Sequence, residues 1–284
     1  MVRTIAIINQ KGGVGKTTTA VNLSAAMAAA GRRVCLIDLD PQAHASLHLG
    51  VTLRDDEPSV YEVFSGQAQL ADVRREVDEN MLLVPSHLNL AAAELELAGE
   101  VGREVILRDH VVRDLERFDF VVLDCPPSLG ILTLNALTSI DEVFLPLQPH
   151  FLALHGLSKL LQTIGVVAAR LNPQLRLGGV ILCMYDSGTR LATEVCRDVD
   201  AFFDRQRHAG TVWSEARIFR TRIRRNIRLA EAPSFGQSIF RYAPKSHGAE
   251  DYQNLAREVL GLPLNSSTDT TAGTPAADPV ETAA

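Results

Sequence analysis

The sequence predicts an α/β fold with a mainly parallel central sheet flanked by helices. Two observations carry that expectation. Short, continuous, β-branched apolar runs recur along the chain, as in strands buried on both faces. Longer amphipathic or Ala-rich stretches separate them, which makes right-handed helical crossovers the default connection. Composition agrees: 284 residues with 46% apolar and 22% charged is ordinary globular usage and excludes a fully disordered or collagen-like chain. No window approaches the ~18–20 unbroken apolar residues of a membrane span, and no signal-peptide pattern opens the sequence.

The elements follow in order. TIAIIN at 4–9 reads as a buried strand, and the Ala-rich stretch 17–30, closed by Gly31, as a helix. VCLID at 34–38 is a second strand and 81–84 another. FVVLD at 120–124, 142–145 and 179–184 complete the set. From 265 to 284 the chain is polar and small-residue-rich, with no aromatic or basic residue. It cannot bury enough apolar area to offset ordering, so a disordered tail is expected beyond one folded domain at 1–264. Cys35, Cys125, Cys183 and Cys196 are widely spaced and form no CxxC pair, which reads as buried thiols in a reducing cytosol.

Between the first strand and first helix stands Gln10-Lys11-Gly12-Gly13-Val14-Gly15-Lys16-Thr17-Thr18-Thr19. Glycines let backbone N–H groups turn toward phosphate oxygens, and the helix N-terminus adds its dipole. Lys16 is placed to neutralise β- and γ-phosphates and the Thr17 hydroxyl to ligate Mg²⁺, the pattern of a P-loop NTPase. Gln10 stands where the strict pattern has glycine, and a second lysine follows it. Lys11 and Lys16 are two of only four lysines in the chain. Asp124 ends a buried apolar strand, where it can hold Mg²⁺ through water; a carboxylate at a strand end such as Asp38 or Asp124 can instead cap the next helix.

KGGVGKTTT resembles the deviant Walker A motif of the ParA/MinD ATPases. Asp38-Leu39-Asp40-Pro41-Gln42 is similar to that family's DxDPQ segment, and Asp124-Cys125-Pro126-Pro127-Ser128 to its Walker B and switch II. GILTLNAL at 130–137, LHGL at 154–157 and RLAEAPS at 228–234 resemble the Soj-like partition branch. The resemblance spans roughly residues 3–262 and implies ATP and Mg²⁺ as cofactors. Phosphate contacts fall on Lys11, Gly12, Gly13, Val14, Gly15, Lys16, Thr17 and Thr18, with Thr17, Asp38 and Asp124 at the metal. Catalysis falls to Lys11, Lys16 and Asp40, Asp40 acting on the attacking water and Lys11 crossing to the other subunit of a face-to-face homodimer. The family's adenine contact maps onto Asn226, in a segment where Arg224 replaces the usual proline. No guanine-reading NKxD or TKxD segment occurs, so ATP is favoured over GTP.

Net charge is −6, yet the window 213–245 is +6 and the remainder −12. Six arginines fall between Arg217 and Arg228, a strip able to bind phosphates without reading bases. By resemblance, Arg228 contributes to ATP-dependent nonspecific DNA binding, with Arg225 beside it. A second family arginine slot falls at Gly188, with Arg190 two residues on. The same strip is open to a plainer reading as a solvated face, because arginine outnumbers lysine 24 to 4.

The expectation is therefore a slow, partner-stimulated ATPase switch that partitions chromosome or plasmid DNA with a ParB-like partner, in the cytoplasm and on the nucleoid. Positioning another cargo, such as chemoreceptors, carboxysomes or cellulose synthase, stays open. A membrane-cycling MinD-like regulator needs a basic amphipathic C-terminal helix, and the tail here has Asp269, Asp278 and Glu281 with no Lys or Arg. An electron-transfer protein of the nitrogenase iron-protein kind needs suitably placed cysteines, which the four here do not offer.

Overall fold

The computed structural model describes residues 2–114, 117–150, 153–206 and 210–264. The elements begin with β1 (Arg3–Ile7), α1 (Lys16–Ala29), β2 (Val34–Asp38), α2 (His44–His48), α3 (Val60–Phe64), α4 (Leu70–Val73), β3 (Arg75–Asp78) and β4 (Met81–Val84). Next come α5 (Leu90–Glu96), α6 (Ile106–Asp114), β5 (Phe120–Asp124), α7 (Ile131–Ser139), β6 (Glu142–Leu147), α8 (Ala153–Arg170) and β7 (Arg176–Tyr185). The order closes with α9 (Arg190–Gln206), β8 (Ile218–Arg224), α10 (Ile227–Glu231), α11 (Ile239–Tyr242) and α12 (His247–Val259). The side chains at 151–156, including most of the LHGL segment, and the tail at 265–284 lie outside the described residues.

The strands form one eight-stranded sheet in the order β3-β4-β2-β5-β1-β6-β7-β8. Every pairing is parallel except β3 with β4. Helices cover both faces, and two apolar layers result. Alternate residues of each strand enter opposite layers: Ala6 and Ile8 pack on one side, Ile5 and Ile7 on the other, with Val121 and Leu123 against Phe120 and Val122 repeating the split. That is why the central strands read as unbroken apolar runs. The small side chains of α1 are buried along most of its length, between the sheet and α12. All four cysteines are buried, and none is in a disulfide.

The fold class matches the expectation, and two strands exceed it. β3 is short and charged and pairs antiparallel at one edge, with a register shift between Glu76 and Asp78. β8 forms the other edge out of the arginine strip itself. Phe219, Thr221 and Ile223 turn inward, while Arg220 is exposed and Arg222 and Arg224 are half-buried. Charged residues on an edge strand oppose pairing with another chain. The edge is also capped from α12: the Glu258 carboxylate accepts the N–H groups of Arg220 (2.8 Å) and Thr221 (3.0 Å), and Asp251 accepts that of Arg224 (2.8 Å).

Two backbone donors to one carboxylate are a substantial local contact. Glu258→Ala should lower stability by about 1–2 kcal/mol, and Glu258→Gln, which keeps one acceptor, by less. Equilibrium denaturation checks the order; equal losses would contradict the capping.

Candidate nucleotide-binding site

The site lies at the carboxyl ends of β1, β2 and β5, where open α/β sheets bind ligands. β1 ends at Ile7, and the loop enters α1 at Lys16. Gly13 (φ 71°) and Gly15 (φ 92°) are left-handed, a conformation open to glycine and strained for side chains. A Cβ built on Gly12 or Gly13 would meet nothing within 4 Å, so the hollow above the loop is free for a bulky anion. Val14 is buried and pins the loop to the core. The other end is tied by Asn9, which accepts the Lys11 N–H (3.0 Å) and donates to the Pro146 carbonyl (2.7 Å). Thr17 and Thr18 begin α1 and are half-buried at the same mouth.

The two loop lysines differ. Lys16 is 7% exposed, and its Nζ donates to the Lys11 carbonyl (3.2 Å) across the loop. Burial lowers its pKa, and Asp124 and Asp40 oppose that shift. Lys11 is exposed, and its ammonium contacts the His150 imidazole. Burial and the adjacent ammonium lower the His150 pKa, which keeps that ring neutral.

The carboxylates divide similarly. Asp38 and Asp124 face each other across the β2–β5 pairing, both fully buried. Asp38 Oδ1 accepts the Asp40 N–H (3.1 Å), and Oδ2 accepts the Ser46 N–H (2.9 Å) and hydroxyl (2.7 Å). Ser46 lies in α2, so of the two readings of this strand end Asp38 takes the helix-anchoring one. Its oxygens are engaged by the loop and α2. Asp124 is the contrast: neither oxygen has a hydrogen-bond partner of normal geometry. Burial first, then Asp38, raises its pKa well above the usual carboxylate range, while the Thr17 hydroxyl and Lys16 draw it down. Burial likewise raises Asp38 to about 6, against the hydrogen bonds from Ser46 and Asp40. A buried, unsatisfied carboxylate facing a threonine hydroxyl is the donor set a hydrated Mg²⁺ completes. Asp40, 8% exposed, is oriented by the Gln42 N–H (3.0 Å to Oδ1).

A cavity of about 460 Å³ continues from Gly13, Gly15 and Thr18 to Met184, Ile223, Asn226, Ile227 and Ala230. Asn226 caps α10, its Oδ1 accepting the Arg228 N–H (2.8 Å), so its NH₂ group is the part left to face a base. Sequence reasoning did not reach Cys183, Met184 or Tyr252, which also line this space. Met184 carries a left-handed backbone (φ 50°) that its side chain gives no sign of.

The arginine strip is not one surface. Arg224 pairs with Asp251 and Glu250, and Arg222 lies over the Tyr185 ring at 5.1 Å. Arg190, Arg225 and Arg228 are exposed. Tyr185 pairs with Arg224 in the β7–β8 register, so the segments bearing Arg190 and Arg225 leave the sheet at the phosphate-loop end. Arg228 also pairs with Glu231 (2.8 Å), a surface contact weak enough to yield to a phosphate.

A glycine-rich loop between a parallel strand and a buried helix, with an inward lysine and a bare aspartate opposite, defines a P-loop ATPase. Comparison narrows this further. The AAA domain family matches residues 2–177. The chain is 44% identical over 260 residues to the sporulation initiation inhibitor protein Soj of Bacillus subtilis, covering 91% of this chain and 98% of that one. It is 46% identical over 259 residues to the chromosome-partitioning ATPase Soj of Thermus thermophilus (91% and 96%). Among solved structures, cobyrinic acid a,c-diamide synthase from Mycobacterium smegmatis, with bound ATP analog and magnesium, superposes with a TM-score of 0.78 at 36% identity, covering 92% of this chain and 95% of that one. The chain belongs to the Soj/ParA family of chromosome-partitioning ATPases. It is an ATPase that uses ATP with Mg²⁺.

Asp124 should cost the nucleotide-free fold stability. A carboxyl whose pKa rises on folding binds its proton more readily in the folded state, so stability falls as pH climbs from about 4 upward. Asp124→Asn should raise the melting temperature in EDTA at pH 7.5 by about 2–4 °C, with a smaller gain at pH 5. It should also abolish the extra protection that Mg²⁺ adds to ATP. Thermal melts check both; an unchanged Mg²⁺ effect would contradict the metal assignment.

Proposed function

We propose that this chain is the ATP-driven switch of a DNA-partition system. Two copies close on MgATP, the closed dimer binds double-stranded DNA without reading sequence, and a centromere-binding ParB-like partner triggers hydrolysis and release. The observation that carries the reading is the division of labour between the two loop lysines. Lys16 is buried and turned across its own loop, while Lys11 stands exposed at the rim against a neutral imidazole. An imidazole is a weak partner beside a phosphate, so Lys11 is free to enter a facing copy's site. The γ-phosphate then becomes part of the interface, and its loss opens the dimer.

Within each site, N–H groups of Gly12, Gly13, Val14 and Gly15 and the α1 N-terminus receive the phosphates, with Thr17 and Thr18 at the mouth. Bound Mg²⁺ would supply charge neutralisation on the phosphates. Thr17 and Asp124 would hold it, while Asp38 contributes by fixing the loop that carries Asp40. Asp40 accepts a hydrogen bond from the water that attacks the terminal phosphorus and so orients it. Lys16, and Lys11 from the partner copy, offset the charge that develops as the bond to ADP breaks. Asn226 faces the base.

Arg190, Arg225 and Arg228 supply the DNA surface, and binding in this way places the protein on the nucleoid in the cytoplasm. Dimer, DNA and ATP are linked: whichever ligand favours the dimer raises the apparent affinity of the other. Among the described residues no helix is long and apolar enough to cross a membrane.

Light scattering and DNA retention with ATP, ADP and no nucleotide test the cycle. Wild type should double in mass with ATP alone, and Asp40→Ala should stay dimeric on DNA. A mass indifferent to nucleotide in both proteins would end the switch. Arg228→Ala should weaken DNA binding equally on unrelated sequences and reduce the salt slope by about one; an unchanged slope would remove Arg228 from the interface.

A further inference from the structure

The cavity beside the phosphate loop has a wall with an unusual support. β8 ends at Arg224, which lines the cavity together with the next residues, Arg225, Asn226 and Ile227, the last of them opening α10. The Arg225 N–H still donates to the Tyr185 carbonyl of β7 (3.3 Å), and Arg224, just before it, is held from α12. Asp251, 2% exposed, accepts the Arg224 backbone N–H on Oδ2 (2.8 Å) and Nε on Oδ1 (2.9 Å), and Glu250 accepts Nη2 (2.7 Å). One residue on, Tyr252 is fully buried, lines the same cavity, and pairs its hydroxyl with that of Thr19 in α1 at 3.1 Å. Adjacent residues of one helix thus grip the base-side wall and the helix that follows the phosphate loop.

We infer that Arg224 and Asp251 are a positioning pair that sets nucleotide affinity from the base side of the cavity, leaving the phosphate loop to act alone on the triphosphate. Asp251 is outside the cavity lining and acts through Arg224, which is part of it. A bidentate, buried carboxylate holds the guanidinium in one geometry. With it, the strand end that carries Asn226 stays at a fixed distance from α1. Without it, the wall must be ordered when ligand binds, and affinity falls by that cost. A lysine cannot reproduce the two-point contact.

The inference rests on the reading that this cavity receives the base, and the test separates the two. Binding of MgATP and of magnesium tripolyphosphate, which has the phosphates and no nucleoside, is measured calorimetrically on the full chain. The variants are Asp251→Asn and, should that fold poorly, Arg224→Lys. The pair predicts that MgATP affinity falls about tenfold, 1.4 kcal/mol, while tripolyphosphate affinity stays within about twofold of wild type. Equal losses for both ligands would make the pair a general fold support, and no loss for either would make it idle; both overturn the inference. If wild type already bound tripolyphosphate as tightly as ATP, the base reading of the cavity would fall with it. The dimer cycle would remain testable by mass.

Discussion

The structure depends on placing ionisable groups where water does not reach, at the carboxyl ends of β2 and β5 and the start of α1. Asp38, Asp124 and Lys16 are buried side by side, and burial is the largest influence on the pKa of each. Two carboxylates and one ammonium at a parallel sheet's rim are costly to fold and are retained at sites that use charge. The chain reduces the cost unevenly. Asp38 is satisfied by Ser46 and the Asp40 N–H, which makes it a hinge for the segment from β2 to α2. Asp124 is left unsatisfied, and a site with one unmet carboxyl, one inward cation and a row of loop N–H groups is complementary to a metal-bound polyphosphate. Binding and folding are linked through that mismatch.

The same economy is visible around α12. This helix meets the edge strand with three acidic side chains, caps its free N–H groups, and anchors to α1 through Tyr252. An edge that would otherwise invite pairing with another chain is thereby closed, and the arginines are sorted. Those held by α12 or Tyr185 are structural, and those past the strand end remain at the surface. Nonspecific phosphate binding asks only for such a sparse set, because counterion release needs charge and not geometry.

Much of this was legible in the residues. The phosphate loop could be read because anion binding requires glycines, a lysine and a helix start at one spacing, and the buried strands because both of their faces are apolar. The edge strands could not: the outward faces of β3 and β8 are charged, which breaks the run that marks a central strand. Asp38 and Asp124 look alike as strand ends, and only the fold brings Ser46 to one of them and leaves the other facing Thr17 without a hydrogen bond of normal geometry. Arg224 read as part of a cationic strip because its partner lies 27 residues on, in a helix whose pattern gives no hint of that contact. The left-handed Met184 is equally silent in sequence.

The central claim is that Asp124 is an unmet buried carboxyl which Mg²⁺ completes. Proton release on binding reports it directly, because burial favours the protonated carboxyl and a metal ion favours the ionised one. Calorimetric titration of ATP near pH 6.5, with and without Mg²⁺, in two buffers of different ionisation enthalpy, measures that release. The account predicts Mg²⁺-dependent protons beyond those ATP itself releases to Mg²⁺, absent in Asp124→Asn. Identical proton counts for wild type and variant would contradict it.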